Sequence, residues 1–110
     1  MADLSLTARE DEPWVVESPQ ALIVGEGPIF TITYPWASSL SSAGCAIYKD
    51  GTDGTSTYMT GSTTTSGNVQ TLKTLQALVK GRYVLVANVT ISSSIVYRKC
   101  LLIVQDKGDE

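Results

Sequence analysis

The chain has 110 residues, 43% apolar and 17% charged, with a net charge of −3 and no histidine. That length suits one domain with a single core, and that apolar fraction excludes wholesale disorder. The longest apolar runs, such as residues 100–104, are too short for a membrane-spanning helix, and the basic residues form no dense stripe of the kind that binds nucleic acid.

Thr, Ser, Val and Gly are abundant while Glu and Lys are sparse, which favours strands over helices. Leu4, Leu6 and Ala8 alternate with Ser5, Thr7 and Arg9, the period of a half-buried strand. Glu10-Asp11-Glu12-Pro13 interrupts it. Trp14-Val15-Val16 is apolar again and needs a cover, either this domain's own sheet edge or a neighbouring chain. A short strand is expected over 21–24, then a turn at Gly25-Glu26-Gly27-Pro28. Over 29–36, Phe30, Ile32, Tyr34 and Trp36 share one face opposite Thr31 and Thr33, and Pro35 ends the ladder. Residues 37–42 read as a polar loop.

A fourth strand over 44–49 sets Cys45 and Ile47 against Ala46 and Tyr48. Lys49-Asp50-Gly51-Thr52-Asp53-Gly54 contains two Asp/Gly turn elements. It lacks the further oxygen ligands and closing glutamate of an EF-hand-type calcium loop. Residues 56–60 and 69–72 read as strands, separated by an exposed, mobile loop at 61–67. Leu75 and Leu78 lead to a corner at Gly81, where a permissive backbone is needed. Tyr83, Leu85, Ala87 and Val89 then fall on one face of a strand, with Val84, Val86, Asn88 and Thr90 on the other. Ser92-Ser93-Ser94 makes a hairpin connection into the last long strand, 95–104. There Val96, Arg98, Cys100, Leu102 and Val104 oppose Tyr97, Lys99, Leu101 and Ile103.

Seven or eight short strands with no helical period define an all-β fold, an antiparallel β-sandwich over residues 18–105. Residues 1–17 form an N-terminal arm or edge strand, and residues 106–110 an acidic tail. Two strands of the second half are apolar on both faces, the mark of burial on both sides. A two-layer sandwich has only one internal side. Either the arm folds over the outer face or a second molecule does. Trp14, Val15, Val16, Val84, Val86, Leu101 and Ile103 are therefore the candidate partner-binding residues.

Charge is uneven. Residues 1–17 carry five carboxylates against one arginine, a net −4, and residues 18–105 six cations against three carboxylates, a net +3. Acidic ends aid solubility, or an acidic arm reaches a basic patch on a neighbouring subunit. Cys45 and Cys100 match no metal spacing and fall on non-neighbouring strands, so both read as free, buried thiols. No secretory signal is visible in Met1-Ala2-Asp3-Leu4. Without histidine, Ser-His-Asp and Cys-His catalysis is impossible within the chain, and no nucleophile elbow or phosphate loop is present. The expectation is a protein that is not an enzyme and takes no cofactor.

Leu78-x-x-Gly81-x-Tyr83-x-Leu85 resembles the E–F corner of immunoglobulin-like and fibronectin-III-like domains. The resemblance covers roughly residues 19–104. It implies that Tyr83 is the corner tyrosine and that Leu85, with Phe30 or Ile32, replaces the family's core disulfide. It also implies that Ile47 or Tyr48 lies near the place of the missing core tryptophan. The signal-free opening, the Thr/Ser/Gly-rich loops, Tyr48-Lys49-Asp50-Gly51 and Gly81-Arg82-Tyr83-Val84-Leu85-Val86 resemble small Ig-like proteins of tailed-phage virions. That narrower resemblance implies a virion structural protein for capsid decoration, cement, neck or tail, binding capsid or tail proteins or copies of itself. The rivals are a carbohydrate-binding module, with Trp14, Trp36, Tyr34, Tyr58 and Tyr97 as stacking platforms, and a bacterial adhesion module.

Overall fold

Alternating side chains resolve into eleven strands and one helical turn in the computed structural model, which describes residues 4–12, 14–15, 20–24, 27 and 29–105. In chain order these are β1 (Leu4–Thr7), β2 (Gln20–Ile23), β3 (Phe30–Thr33), β4 (Ser41–Lys49), β5 (Thr52–Asp53), α1 (Thr55–Tyr58), β6 (Met59–Thr60), β7 (Thr64–Ser66), β8 (Val69–Thr71), β9 (Thr74–Leu75), β10 (Gly81–Ile91) and β11 (Ser94–Gln105). A four-stranded sheet, β1-β3-β8-β7, faces a five-stranded sheet, β2-β11-β10-β4-β5, and β6-β9 is a small separate pair. The chain is an all-β sandwich.

Turn chemistry sets the registers. Asp50 and Gly51, both at positive φ (52° and 84°), join Lys49 to Thr52, the two-residue connection whose twist matches paired strands. Ser92 and Ser93 make the same turn between β10 and β11. The interior face of β10 then buries Tyr83, Leu85, Ala87 and Val89, and that of β11 buries Cys100, Leu102 and Val104. Leu6, Phe30, Ile32 and Leu72 meet them from the opposite side.

Several expectations change. Residues 56–60 are not one strand. The Asp53 carboxylate accepts the backbone N–H of Thr55 (2.9 Å) and its hydroxyl (2.7 Å), and that local turn starts α1 instead. Residues 61–67 contain β7, because Gly67 and Asn68 reverse the chain and pair Ser66 with Val69. Both sheets are mixed. β1 runs parallel to β3 and β2 parallel to β11. The reason is a reversal at an Arg9–Glu12 bridge, which lays the segment before it along one sheet and the segment after it along the other.

Gln70 is the one buried polar side chain among the described residues. Its Oε1 accepts the Tyr34 hydroxyl at 2.8 Å, while its Nε2 donates to the carbonyls of Gly44 (2.9 Å) and Asn88 (3.3 Å). Those carbonyls lie where β4 bulges against β10, with Ser42 in the left-handed region (φ 49°). A Cβ at Gly44 would stand 2.9 Å from Oδ1 of Asn88, so a side chain there must displace the Asn88 amide.

Replacing Gln70 with leucine removes the acceptor of the Tyr34 phenol and one bond to each of the Gly44 and Asn88 carbonyls. It should lower unfolding free energy by roughly 2–4 kcal/mol, read by urea titration. Burial holds the Tyr34 phenol well above its ordinary 10.0, with Arg98 opposing weakly. A raised folded value means the stabilisation is complete below pH 10 and is lost as pH climbs toward the folded pKa. Stability should therefore fall above pH 10 by up to about 1.4 kcal/mol per pH unit on account of this one phenol. Tyr34→Phe should flatten that slope in urea titrations at pH 9 to 11.5.

Candidate protein-binding face

The outward side of the five-stranded sheet carries most of the expected site residues. Val84 stands in register with Tyr48 on β4 and Leu101 on β11. Val86 pairs with Ala46 and Lys99. Ile103 lies between Arg82 and Ala21 of β2. Val84, Val86, Leu101 and Ile103 are all half-buried, and pleating turns them away from the core that receives their neighbours.

The alternation of the next pair divides it. Trp14 bridges in parallel to Lys99 and extends the Ala46–Val86–Lys99 row, with the Lys99 ammonium 5.7 Å from its ring centroid. It is 40% exposed. Val15 is expected to bind a partner but points the other way. It is 3% exposed within the core cluster, fixed by its N–H to the Lys99 carbonyl at 3.0 Å, and offers no surface. Val16 lies outside the described residues, as does the acidic tail at 106–110.

Among the described residues, the N-terminal segment follows sheet edges rather than crossing the outer face. β1 completes the edge at β3, and Trp14 and β2 line the edge at β11. Arg98 pins the reversal between these limbs. Its Nε donates to the Arg9 carbonyl at 2.8 Å and its Nη2 to the Glu10 carbonyl at 3.1 Å. Its guanidinium lies 5.3 Å from the centroid of Trp36, which packs edge-on against Tyr34. The ring with an inward-looking arginine over it is thus no open platform, and Tyr34 is fully buried.

Two further residues join the face. Tyr97 is 54% and Ile95 64% exposed, and both follow Lys99 on the same side of β11. Their signal was present in the alternation. Periodicity assigns a side but does not say how much of a side chain its neighbours leave open.

The side chain of Tyr83 reaches back to the backbone four residues before it. Its hydroxyl donates to the Val79 carbonyl at 2.6 Å and accepts the Val79 N–H at 3.0 Å. Burial raises its pKa, with Val79 pulling the other way. Leu85, Phe30, Ile32 and Ile47 occupy the core, whereas Tyr48 faces out. Cys45 and Cys100 form no disulfide and are separated by β10. Cys100 is buried as expected, whereas Cys45 is half-buried, its Sγ 3.4 Å from the Thr63 hydroxyl.

A shallow cleft of about 330 Å³ lies beside the β4–β5 turn, lined by Lys49, Asp50, Asp53 and Tyr58 among others. Its charges are used locally. Lys49 pairs with Asp50 at 3.2 Å, which raises its pKa, and the Thr55 N–H and hydroxyl lower that of Asp53. Among the described residues no three His, Cys, Asp or Glu side chains group as metal ligands, and no helix is long and apolar enough to cross a membrane. Comparison with protein-family models and with curated proteins finds no match.

Arg98→Ala removes both bonds to the reversal and the cover of Trp36. The amide of Ala8, bonded to the Thr33 carbonyl at 2.8 Å, should lose protection in hydrogen exchange by roughly tenfold or more, the ratio about 1.4 kcal/mol of local stability gives. Amides in the middle of β10 should change far less.

Proposed function

We propose that this chain is a non-enzymatic, Ig-like structural module that binds other proteins through the outer face of its five-stranded sheet, and that those proteins are capsid or tail components of a virion. One observation carries the binding reading. An apolar patch of Tyr48, Val84, Val86, Leu101 and Ile103 lies beside exposed Trp14, with exposed Tyr97 and Ile95 beyond Lys99, on the side of the sheet that packs against nothing described. The strand order and the Tyr83 corner support the Ig-like reading. The virion assignment rests on the resemblance of the loops and of the Gly81–Val86 segment, and the lack of histidine supports a role outside catalysis.

Magnitudes rank the residues within the band. Val84, Val86, Leu101 and Ile103 are already half-buried, so covering them fully returns about 1 kcal/mol each, roughly 4 in all. Ordering a partner costs about 4–15 kcal/mol. The half-buried residues alone do not meet that cost. Exposed Tyr97, Ile95 and Trp14 must act as anchors, in keeping with the aromatic character of interface hot spots.

A second reading, glycan binding, draws on the same two exposed rings, Trp14 and Tyr97, and on Tyr58 in the cleft.

Co-sedimentation with purified capsids and tails of the source virion tests the first reading, and stoichiometric binding is expected. Tyr97→Ala should weaken it by roughly 30-fold or more, about 2 kcal/mol, while leaving the urea midpoint unchanged, and Val84→Ala should weaken it less. A chain that sediments with no virion component loses the reading. Hits on a glycan array that vanish with Tyr97→Ala would favour the second.

A further inference from the structure

We propose that Asp50 is a site of covalent self-modification, its carboxyl closing on the Gly51 amide and reopening as isoaspartate. The proposal rests on one turn and is independent of what the outer face binds. The chain holds the same tripeptide twice, Asp50-Gly51-Thr52 and Asp53-Gly54-Thr55, both beside the shallow cleft. Aspartate followed by glycine is the pairing most open to this reaction, because glycine sets no side chain beside its own nitrogen. The fold treats the two copies oppositely.

At the first copy the reacting groups are open. The Asp50 side chain is 70% exposed and pairs with Nζ of Lys49 through Oδ2 alone, at 3.2 Å. Exposed pairs of this kind hold a side chain weakly. Gly51 lies outside the ladder, which begins at Lys49 and Thr52, and a Cβ on it would meet nothing within 4 Å. Asp50 and Gly51 both have positive φ, 52° and 84°. Turning over the one peptide plane between them leaves only the first φ positive, and both kinds of turn match the strand twist. That rotation carries the Gly51 nitrogen to the Asp50 side chain, and glycine tolerates the change in its own φ. At the second copy both reacting groups are held. Oδ1 of Asp53 accepts the Thr55 N–H at 2.9 Å and its hydroxyl at 2.7 Å, which lowers the pKa and keeps the carboxyl ionised. The Gly54 nitrogen donates to the Ile47 carbonyl at 2.8 Å.

In the first step the Gly51 nitrogen attacks Cγ of the protonated Asp50 carboxyl. A C–N bond forms, a C–O bond breaks, and the departing hydroxyl takes the amide proton and leaves as water. Water then opens the resulting cyclic imide at either carbonyl. Attack at Cγ restores aspartate. Attack at the Asp50 main-chain carbonyl leaves Gly51 bonded to Cγ and frees the α-carboxylate. The charge is unchanged, and the main chain gains a carbon. Turn length sets the register of a hairpin, so the longer link loosens the Lys49–Thr52 and Tyr48–Asp53 pairs and reshapes the cleft.

The repeated tripeptide supplies its own control. The folded protein and a synthetic peptide of residues 49–58 are incubated side by side at neutral pH and body temperature. Chymotrypsin, cutting after Tyr48 and Tyr58, then releases the same peptide from the protein. Electron-transfer fragmentation reads isoaspartate at position 50 and at position 53 separately. In the peptide the two positions should convert alike. In the folded protein Asp53 reacts only through local opening, so position 50 should exceed it by roughly tenfold or more. A ratio in the folded protein no higher than in the peptide overturns the proposal. So does an unmodified Asp50 over the time in which the peptide converts.

Discussion

The amide of Gln70 bolts the two sheets together, and much of the molecule's geometry follows from satisfying it. An amide in an apolar core is costly unless all its bonds are made. Here its partners come from three places: the phenol of Tyr34 beyond β3, and the carbonyls of Gly44 on β4 and Asn88 on β10. Both carbonyls lie beside the bulge of β4 against β10, where a side chain at Gly44 would have to displace the Asn88 amide. No buried side-chain polar atom among the described residues lacks a partner. Sliding one sheet over the other would break these bonds together, so the amide specifies alignment as well as adding stability.

The same constraint reaches the N-terminal segment through stacked rings. Tyr34, fixed by Gln70, receives the edge of Trp36, Trp36 receives the guanidinium of Arg98, and Arg98 holds the carbonyls of the reversal at Arg9 and Glu10. The two limbs of that segment then close one edge on each sheet. Among the described residues the segment follows these edges, and none of it covers the outer face of the five-stranded sheet. Its apolar band is graded, half-buried in the middle of the sheet and open toward Ile95, Tyr97 and Trp14. An interface built on such a band draws its strength from the open end.

Long, strongly alternating stretches were legible in advance. The faces of β10 and β11 follow from residue order, and so do the burial of Leu85 and Ile47 and the outward direction of Val84, Val86, Leu101 and Ile103. Short polar stretches were not. Residues 55–58 have strand-forming composition, yet Asp53 binds the N–H and hydroxyl of Thr55 and a helical turn forms there; the threonines and serines at 61–67 look like loop, yet a two-residue reversal pairs them with β8. In both places one local hydrogen-bonding choice outweighs weak propensities. Trp14 and Val15 show the same limit at the site. Both are apolar, but a strand's two-residue period sends one out and the other into the core.

Residue order alone determined the all-β class, the turn at Gly81 and which side chains of β10 and β11 face outward, because period-two alternation and turn residues act locally. Tertiary structure decided the rest. It set which strands neighbour which, why both sheets are mixed, why Gln70 is buried, and which residues of the face remain open. Those depend on contacts between residues far apart in the chain, such as Arg98 with Glu10 or Gln70 with Gly44, and no local pattern encodes such contacts.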